Sequence, residues 1–370
     1  MIKVGITGQA GFIGTHLFNY LNLKEDVQTI PFQDDFFDDE NRLDDFVRQC
    51  DVVVHLAAMN RHPDPKVIYK TNIGLVKKLV ASFDRTGQRP HLLFSSSTQE
   101  SMDNLYGKSK KDGRKILSDW AKNAGAKFTG LIIPNVFGPF GRPFYNSVVP
   151  TFCHQLTHGE SPEIIVDNQI KLIYVNDLTT YIYQIIIGKT KENPVLLPHT
   201  GELKVSELLQ KIKGYKTKYM DQGIIPDLTN DFDRALFNTF RCYVPDDYFP
   251  RALKLNTDNR GAFVETVKAE TPGQFSYSTT KPGITRGNHF HTRKAERFIV
   301  IKGKAKIQLR KFGTDEIIEY ELSGDQPSYV DMPVWFTHNI TNTGNEELFT
   351  LFWINEPFDP DDPDTYFEKV

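Results

Sequence analysis

The sequence predicts two parts: an α/β part built on a doubly wound parallel sheet, then an all-β barrel or double-sheet jelly roll. Two observations carry this. Up to residue 240 short apolar runs alternate with stretches of helical length, and beyond Arg251 the apolar period changes from 3.6 to 2 and stays there. A third agrees with them: the glycine-rich turn Thr7-Gly8-Gln9-Ala10-Gly11-Phe12-Ile13-Gly14 ends the first apolar run and opens a helical pattern.

Buried-strand runs at 2–7, 51–57, 91–96 and 127–134 are separated by helix-length stretches, as a parallel sheet with helices on both faces requires. A late helix is expected at 206–212, with apolar residues at 208, 209 and 212. Pro245 and Pro250 then bracket an acidic, aromatic turn, which sets the expected domains at 1–245 and 252–370. In the second domain strands are expected at 261–270, 273–280, 296–301, 304–310, 316–322, 328–332 and 348–353, with Gly, Pro or Asp turns between them. The acidic stretches 34–45 and 359–364 read as solvated surface.

A length of 370 residues suits two domains. The net charge of −3 argues against nucleic acid or an anionic membrane as partner, so an anionic small molecule must meet local positive groups. Cys50, Cys153 and Cys242 lie far apart and form no metal or redox pair, so they read as buried thiols of a reducing compartment. The first strand starts at Ile2 without the lead-in of a signal peptide, and no apolar window is long enough to span a membrane; a cytoplasmic protein is expected.

The glycine turn places backbone N–H groups and a helix terminus where a pyrophosphate is bound. Its spacing resembles the T-G-x-x-G-x-x-G of the extended short-chain dehydrogenase/reductase family, and three further stations agree. They are His55-Leu56-Ala57-Ala58, Asn72-Ile73-Gly74, and Tyr106-Gly107-Lys108-Ser109-Lys110 with Phe94-Ser95-Ser96-Ser97 ahead of it. The resemblance implies a Rossmann-like domain. Its cofactor would lie on Gly8, Gly11, Phe12, Ile13, Gly14, Leu56, Ala57, Ala58, Tyr106 and Lys110. It also implies Ser97 (in preference to Ser96), Tyr106 and Lys110 as catalytic residues, with Asn72 supporting the proton relay. Tyr106 and Lys110 share a helix face at i, i+4, so the ammonium is expected to lower the phenol pKa and hold the ribose, while a serine hydroxyl orients a carbonyl.

Two departures narrow the chemistry. No carboxylate follows the second strand until Asp34, so nothing repels a 2′-phosphate and NADPH is the expected cofactor; Arg42 is either its phosphate partner or a solvated helix residue. Thr98-Gln99 stands where the family's dehydratases carry Asp-Glu, which favours a reductase. Asn135, in a segment resembling the one after the family's sixth strand, and Arg142 are expected to meet the substrate diphosphate.

The second domain resembles a cupin. Gly283, His289, His291, Glu296 and Gly303 meet every position of that family's first motif; Pro333, His338 and Asn342 meet the second, with Trp335 where the motif has glycine. His289 and His291 are expected to alternate on one strand and point inward, with Glu296 and His338 on neighbouring strands. Three imidazoles and a carboxylate suit a first-row divalent ion; Zn2+ is expected, and manganese, nickel or iron(II) would accept the same ligands. The string 285–290 also resembles a segment of the metal-free dTDP-4-keto-6-deoxyglucose 3,5-epimerases, in which a Lys occupies the Glu296 position. Arg286 would meet a substrate diphosphate, and Lys302, Tyr277 and Tyr329 are open candidates for the base.

Over its whole length the chain resembles bifunctional enzymes of capsular polysaccharide synthesis. That resemblance implies C3 epimerisation of a UDP-linked 2-acetamido-2,6-dideoxy-4-hexulose in the barrel. Reduction of its C4 ketone by NADPH would follow, giving UDP-N-acetyl-6-deoxy-L-talosamine on the way to UDP-N-acetyl-L-fucosamine, in a homodimer. The ketone acidifies C3–H only while it persists, so epimerisation must precede reduction. A reductase fused to an iron cupin dioxygenase, and a non-catalytic NADP sensor, are the alternatives; the intact Ser/Tyr/Lys set argues against the sensor.

Overall fold

A computed structural model describes residues 1–189, 193–259 and 261–370. The chain divides into two compact units, Met1–Val148 with Asn168–Lys204, and Val149–Asp167 with Val205–Val370.

The first unit is built on a six-stranded parallel sheet. Its strands β1 (Ile2–Thr7), β2 (Val27–Ile30), β3 (Val52–His55), β4 (His91–Ser97) and β5 (Phe128–Ile133) lie in the order β2-β1-β3-β4-β5, and Val195–Leu196 adds the last. Helices α1 (Phe12–Asn22), α2 (Glu40–Arg48), α3 (Pro65–Thr86) and α4 (Leu105–Ala124) connect them. Successive strand residues point to opposite faces. Val52, Val54 and Leu93 therefore pack with Leu17 and Leu21 of α1, whereas Val53, Leu92 and Phe94 pack with Phe46, Leu79, Phe83 and Leu117 of the other three helices. This two-sided burial is why the strand runs are continuously apolar. β3 stops at His55, short of the expected 57, because Leu56 N–H turns to the carbonyl of Thr7 at 3.1 Å and the chain leaves the ladder over the glycine turn.

In the second unit two five-stranded antiparallel sheets face each other. One runs Arg251–Ala252, Ser328–Met332, Glu296–Lys302, Leu348–Ile354, Gln274–Thr280; the other runs Ile317–Ser323, Lys304–Lys311, Phe336–Asn342, Thr285–Phe290, Tyr366–Phe367. Val300, Ile307, Leu309, Val330, Met332 and Ile340 form the core between them. The expected strand at 261–270 divides: Gly261–Val264 pairs back on Leu255–Asp258, while Lys268–Ala269 runs parallel to Ile224–Ile225.

The change of period at Arg251 marks where the strands begin, but packing groups 149–167 and 205–250 with them. The buried pair Arg297–Asp331 explains part of this. Its guanidinium donates to both carboxylate oxygens at 2.8 and 3.0 Å, and the Tyr219 hydroxyl donates to the same carboxylate at 2.6 Å. Asn238 donates to the Arg293 carbonyl at 3.0 Å. Residues from the helical segment thus complete the outer face of the first barrel sheet.

The acidic stretches are less uniformly solvated than their composition suggests. Asp44 is buried and bonded to Ser82 and Arg85. Asp364 is 3% exposed and packs inside the barrel mouth. Cys50 and Cys153 are buried, Cys242 is half-buried, and none is in a disulfide.

Candidate functional site

The glycine turn begins α1 at Phe12, with Gly11 as its cap. At Gly14 an added Cβ would lie 2.2 Å from the carbonyl oxygen of Gly8, so only glycine lets the helix start this close to the strand. Phe12 and Ile13 are half-buried, and Leu56, Ala57 and Ala58 pass over the turn after β3. Thr7 Oγ1 lies 2.6 Å from Nδ1 of buried His55, and 3.4 Å from the Ala57 amide that donates to it, which pins the two strand ends together. Gln9 reaches the segment after β2, accepting from Phe32 N–H at 2.9 Å. Arg42 bonds Asp35 at 2.7 Å and Gln33 at 3.2 Å, over the ring of Phe36. It is neither free nor simply solvated.

The three β4 serines have separate tasks. Ser95 Oγ donates to the carbonyl of His55, and the Ser95 carbonyl accepts from Lys110 Nζ at 2.9 Å. Ser96 donates in a short bond to Glu100, whose carboxylate is gripped by Arg114 through bonds of 2.9 and 2.7 Å. Ser97 Oγ accepts from Gln99 N–H at 3.2 Å, leaving its own proton available to a ligand carbonyl.

Tyr106 and Lys110 lie on α4, with the ammonium 5.8 Å from the centre of the phenol ring. The expected depression of the tyrosine is absent: burial pushes its hydroxyl up to about 12. Burial also pushes Lys110 down to about 8, partly opposed by Glu100. Asn72 donates to Ser109 Oγ at 3.0 Å and to the Met59 carbonyl at 3.1 Å, and accepts from Met59 N–H at 2.7 Å. Ser109 in turn donates to the Tyr106 carbonyl at 2.7 Å, so Asn72 braces the turn of α4 that carries Tyr106.

In the barrel the ligating atoms of His289, His291, Glu296 and His338 all lie within 4.8 Å of one another. His289 and His338 are cross-strand partners, and Glu296 begins the facing sheet's Glu296–Lys302 strand. His291 lies just past the end of its strand, not on it as expected. A bulge between Gly287 and His289, with Asn288 at φ +60°, breaks the alternation. Glu296 Oε2 is 3.2 Å from His291 Nε2 and 3.1 Å from His338 Nε2, but among the described residues none of these three buried atoms has an aligned hydrogen-bond partner. Outward, His291 Nδ1 donates to the Asp364 carbonyl at 2.5 Å and His338 Nδ1 to that of Phe336 at 3.1 Å. Those bonds leave the Nε2 lone pairs facing inward. Convergent lone pairs with no protein donor between them fit a divalent cation.

Burial pushes His289 down to about 4, so its imidazole stands neutral, as a metal ligand would need to be. Burial alone would raise Glu296 and lower His291, but their mutual contact prevails, holding the carboxyl well below its usual range and the imidazole above its own.

Asn135 is exposed at the start of the short strand Asn135–Phe137, and exposed Arg142 stacks over Tyr145 at 5.4 Å. Arg286 is exposed and pairs with Ile340, two positions along the ladder from His338 and so on its pleat face. The three candidate bases are not with the His289/His291/Glu296/His338 group. Tyr329 and Tyr277 share the face of Ile299, opposite to that of Glu296, and Tyr329 packs against Arg297. Lys302 is exposed. Sequence reading missed Asp364 altogether; no local signal links it to a residue 73 positions away.

Residues 4–194 match the NAD dependent epimerase/dehydratase family, and residues 256–366 match the Polysaccharide biosynthesis C-terminal domain. The chain belongs to the NAD dependent epimerase/dehydratase family. It is 33% identical to the UDP-2-acetamido-2,6-beta-L-arabino-hexul-4-ose reductase of Pseudomonas aeruginosa over 371 residues, spanning 99% of this chain and 98% of that one. Crystalline capsular polysaccharide assembling protein CapF from Staphylococcus aureus has 36% identity and a TM-score of 0.65, with 100% of both chains covered. The spore coat polysaccharide biosynthesis protein SpsL of Bacillus subtilis is 26% identical over 124 residues, 31% of this chain and 82% of that protein. Fold and relatives agree on an extended short-chain dehydrogenase/reductase domain followed by a cupin jelly roll.

Proposed function

We propose that the chain is a bifunctional nucleotide-sugar enzyme of capsular polysaccharide biosynthesis. The barrel at 252–370 epimerises C3 of a UDP-2-acetamido-2,6-dideoxy-4-hexulose; the reductase module at 1–245 then reduces the C4 ketone with NADPH to UDP-N-acetyl-6-deoxy-L-talosamine, toward UDP-N-acetyl-L-fucosamine. The observation that carries it is the presence on one chain of a Ser97/Tyr106/Lys110 set and a group of buried His291, Glu296 and His338 with half-buried His289, its lone pairs facing inward. The full-length likeness to a protein named as a 4-ulose reductase supports the substrate class.

Gly8, Gly11, Phe12, Ile13, Gly14 and Leu56–Ala58 would hold NADPH, which would supply the hydride. His289, His291, Glu296 and His338 would hold Zn2+ or another first-row divalent ion, which would supply Lewis acidity toward the C4 carbonyl. Tyr106, held as a neutral phenol by burial, donates its proton to the C4 oxygen. Ser97 Oγ–H hydrogen-bonds that oxygen and aligns it, while charged Lys110, anchored on the Ser95 carbonyl, stabilises the tyrosinate left behind. Asn72 keeps this turn of α4 in register through Ser109. Asn135 and Arg142 bind the diphosphate in the first module, and Arg286 does so at the barrel. The enzyme works in the cytoplasm and as a homodimer, the latter to be tested by light scattering on the purified chain.

The deciding experiment incubates a UDP-4-keto-6-deoxy-hexosamine with the full-length protein in deuterium oxide, following NADPH absorbance and the C3 proton signal. Tyr106→Phe should slow NADPH oxidation by about 10²- to 10⁴-fold, the usual worth of a positioned acid, while deuterium still enters at C3. Wild-type NADPH oxidation by Tyr106→Phe would end the reductase assignment. Absence of exchange in metal-replete wild-type protein would end the epimerase assignment.

A further inference from the structure

The C-terminal tail closes over the turn that follows His289. Tyr366–Phe367 pairs with the end of the Thr285–Phe290 strand, and Tyr366 stacks on Phe290 at 5.3 Å. Just before this pairing Asp364 adopts φ +43°, a left-handed conformation that aspartate tolerates but that persists only when its surroundings demand it. The turn directs the two ends of one residue to the same place. Its carbonyl accepts from His291 Nδ1 at 2.5 Å. Its carboxylate accepts from Thr292 Oγ1 at 2.6 Å and from the amides of Thr292, Arg293 and Lys294 at 3.1, 2.9 and 3.0 Å. Lys294, itself 2% exposed, donates back to the Pro363 carbonyl at 2.9 Å.

We infer that Asp364 is a positioning residue of the barrel centre: it fixes the His291 ring from behind and clamps the 292–294 turn that connects His291 to Glu296. This rests on reading His289, His291, Glu296 and His338 as a divalent metal site. The strand of His291 ends at Phe290, and although the His291 carbonyl accepts from Trp335 N–H at 2.7 Å, that bond fixes the backbone and not the ring. A ring held only by its own side-chain torsions would point Nε2 at the centre for part of the time. The carbonyl bond selects one tautomer and one ring orientation, and such outer bonds are worth about 10- to 100-fold in metal affinity. Neighbouring carboxylates do not do this: Asp362 reaches only Arg293, from a side chain that is 67% exposed.

The test is the affinity of the full-length, metal-free protein for Zn2+ alone, by competition with a chromophoric chelator. It is run at a temperature where each metal-free variant retains wild-type near-ultraviolet circular dichroism. Asp364→Ala should bind Zn2+ about 10- to 100-fold more weakly. Asp364→Asn, which keeps the left-handed turn and one acceptor oxygen, should recover part of that loss, and Asp362→Ala should match wild type. Wild-type affinity in Asp364→Ala overturns the inference, as does an equal loss in Asp362→Ala, which would reduce the effect to general charge. Should Asp364→Ala not fold, Asp364→Asn and Thr292→Val decide: both must weaken binding, and wild-type affinity in both overturns the role. A wild-type protein that takes up no Zn2+ sinks the metal site itself, a result distinct from wild-type binding matched by the variants.

Discussion

On the proposed mechanism Tyr106 must arrive protonated, and burial favours this by pushing its hydroxyl up to about 12. The titrating partner is Lys110, lowered to about 8 by burial. Deprotonation of the ammonium as pH rises through about 8 would remove the charge proposed to stabilise the tyrosinate. Ketone reduction should therefore be flat from pH 6 to near 8 and then fall by about tenfold per pH unit, as a single ionisation does. Lys110→Arg, slower but permanently charged, should flatten that limb; rates level to pH 10 in the wild type would disprove the assignment. In the barrel, His291→Ala should lose the metal by elemental analysis and lose C3 exchange, yet retain some reduction of unepimerised ketone.

At the scale of elements, α4 matters most because it carries Tyr106 and Lys110. Its start is set by Asn104, whose side chain accepts from Gly107 N–H at 2.7 Å. Its approach to the preceding turn is set by Gly107, where an added Cβ would lie 1.9 Å from the Gln99 carbonyl oxygen. Gly107→Ala should destabilise the protein by about 1–3 kcal/mol through overpacking. Asn104→Ala should cost about 1 kcal/mol as a lost cap. Urea titration of each would measure both. A barrel turn shows the same logic reversed: Trp335 takes φ +61° where the cupin pattern has glycine, and stacking on Phe290 at 5.6 Å holds it there.

At the scale of the molecule, the boundary that matters for stability lies elsewhere than the change of sequence period. Burial alone would raise the Asp331 carboxyl, but Arg297 holds it below its usual range, and Tyr219 from the helical segment completes the pair. A fragment beginning at residue 252 would lack Tyr219, Phe237 and Arg241 and leave this ion pair and Trp353 uncovered. We expect the 252–370 fragment to show no cooperative transition in calorimetry. In the full chain, Arg297→Met should cost about 3–5 kcal/mol by stranding a buried carboxylate. A sharply melting fragment would show the helical cover to be dispensable.

Much of both candidate sites was legible in the chain because their residues lie on short spacings. The glycine turn, Tyr106 with Lys110, and His289 with His291 and Glu296 each span a few residues, where local geometry dictates what can meet. His338 came from a second short motif. What the tertiary structure alone decided involves partners distant in sequence. Glu100 and Arg114 occupy Ser96 and leave Ser97 available; sheet register turns Tyr277 and Tyr329 away from the His289/His291/Glu296/His338 group; Asp364, just before the tail strand that pairs with His289 and Phe290, bonds His291. A charged residue in an acidic tail has the same composition whether it is solvated or clamped. Only the fold's choice of which backbone amides it faces separates the two.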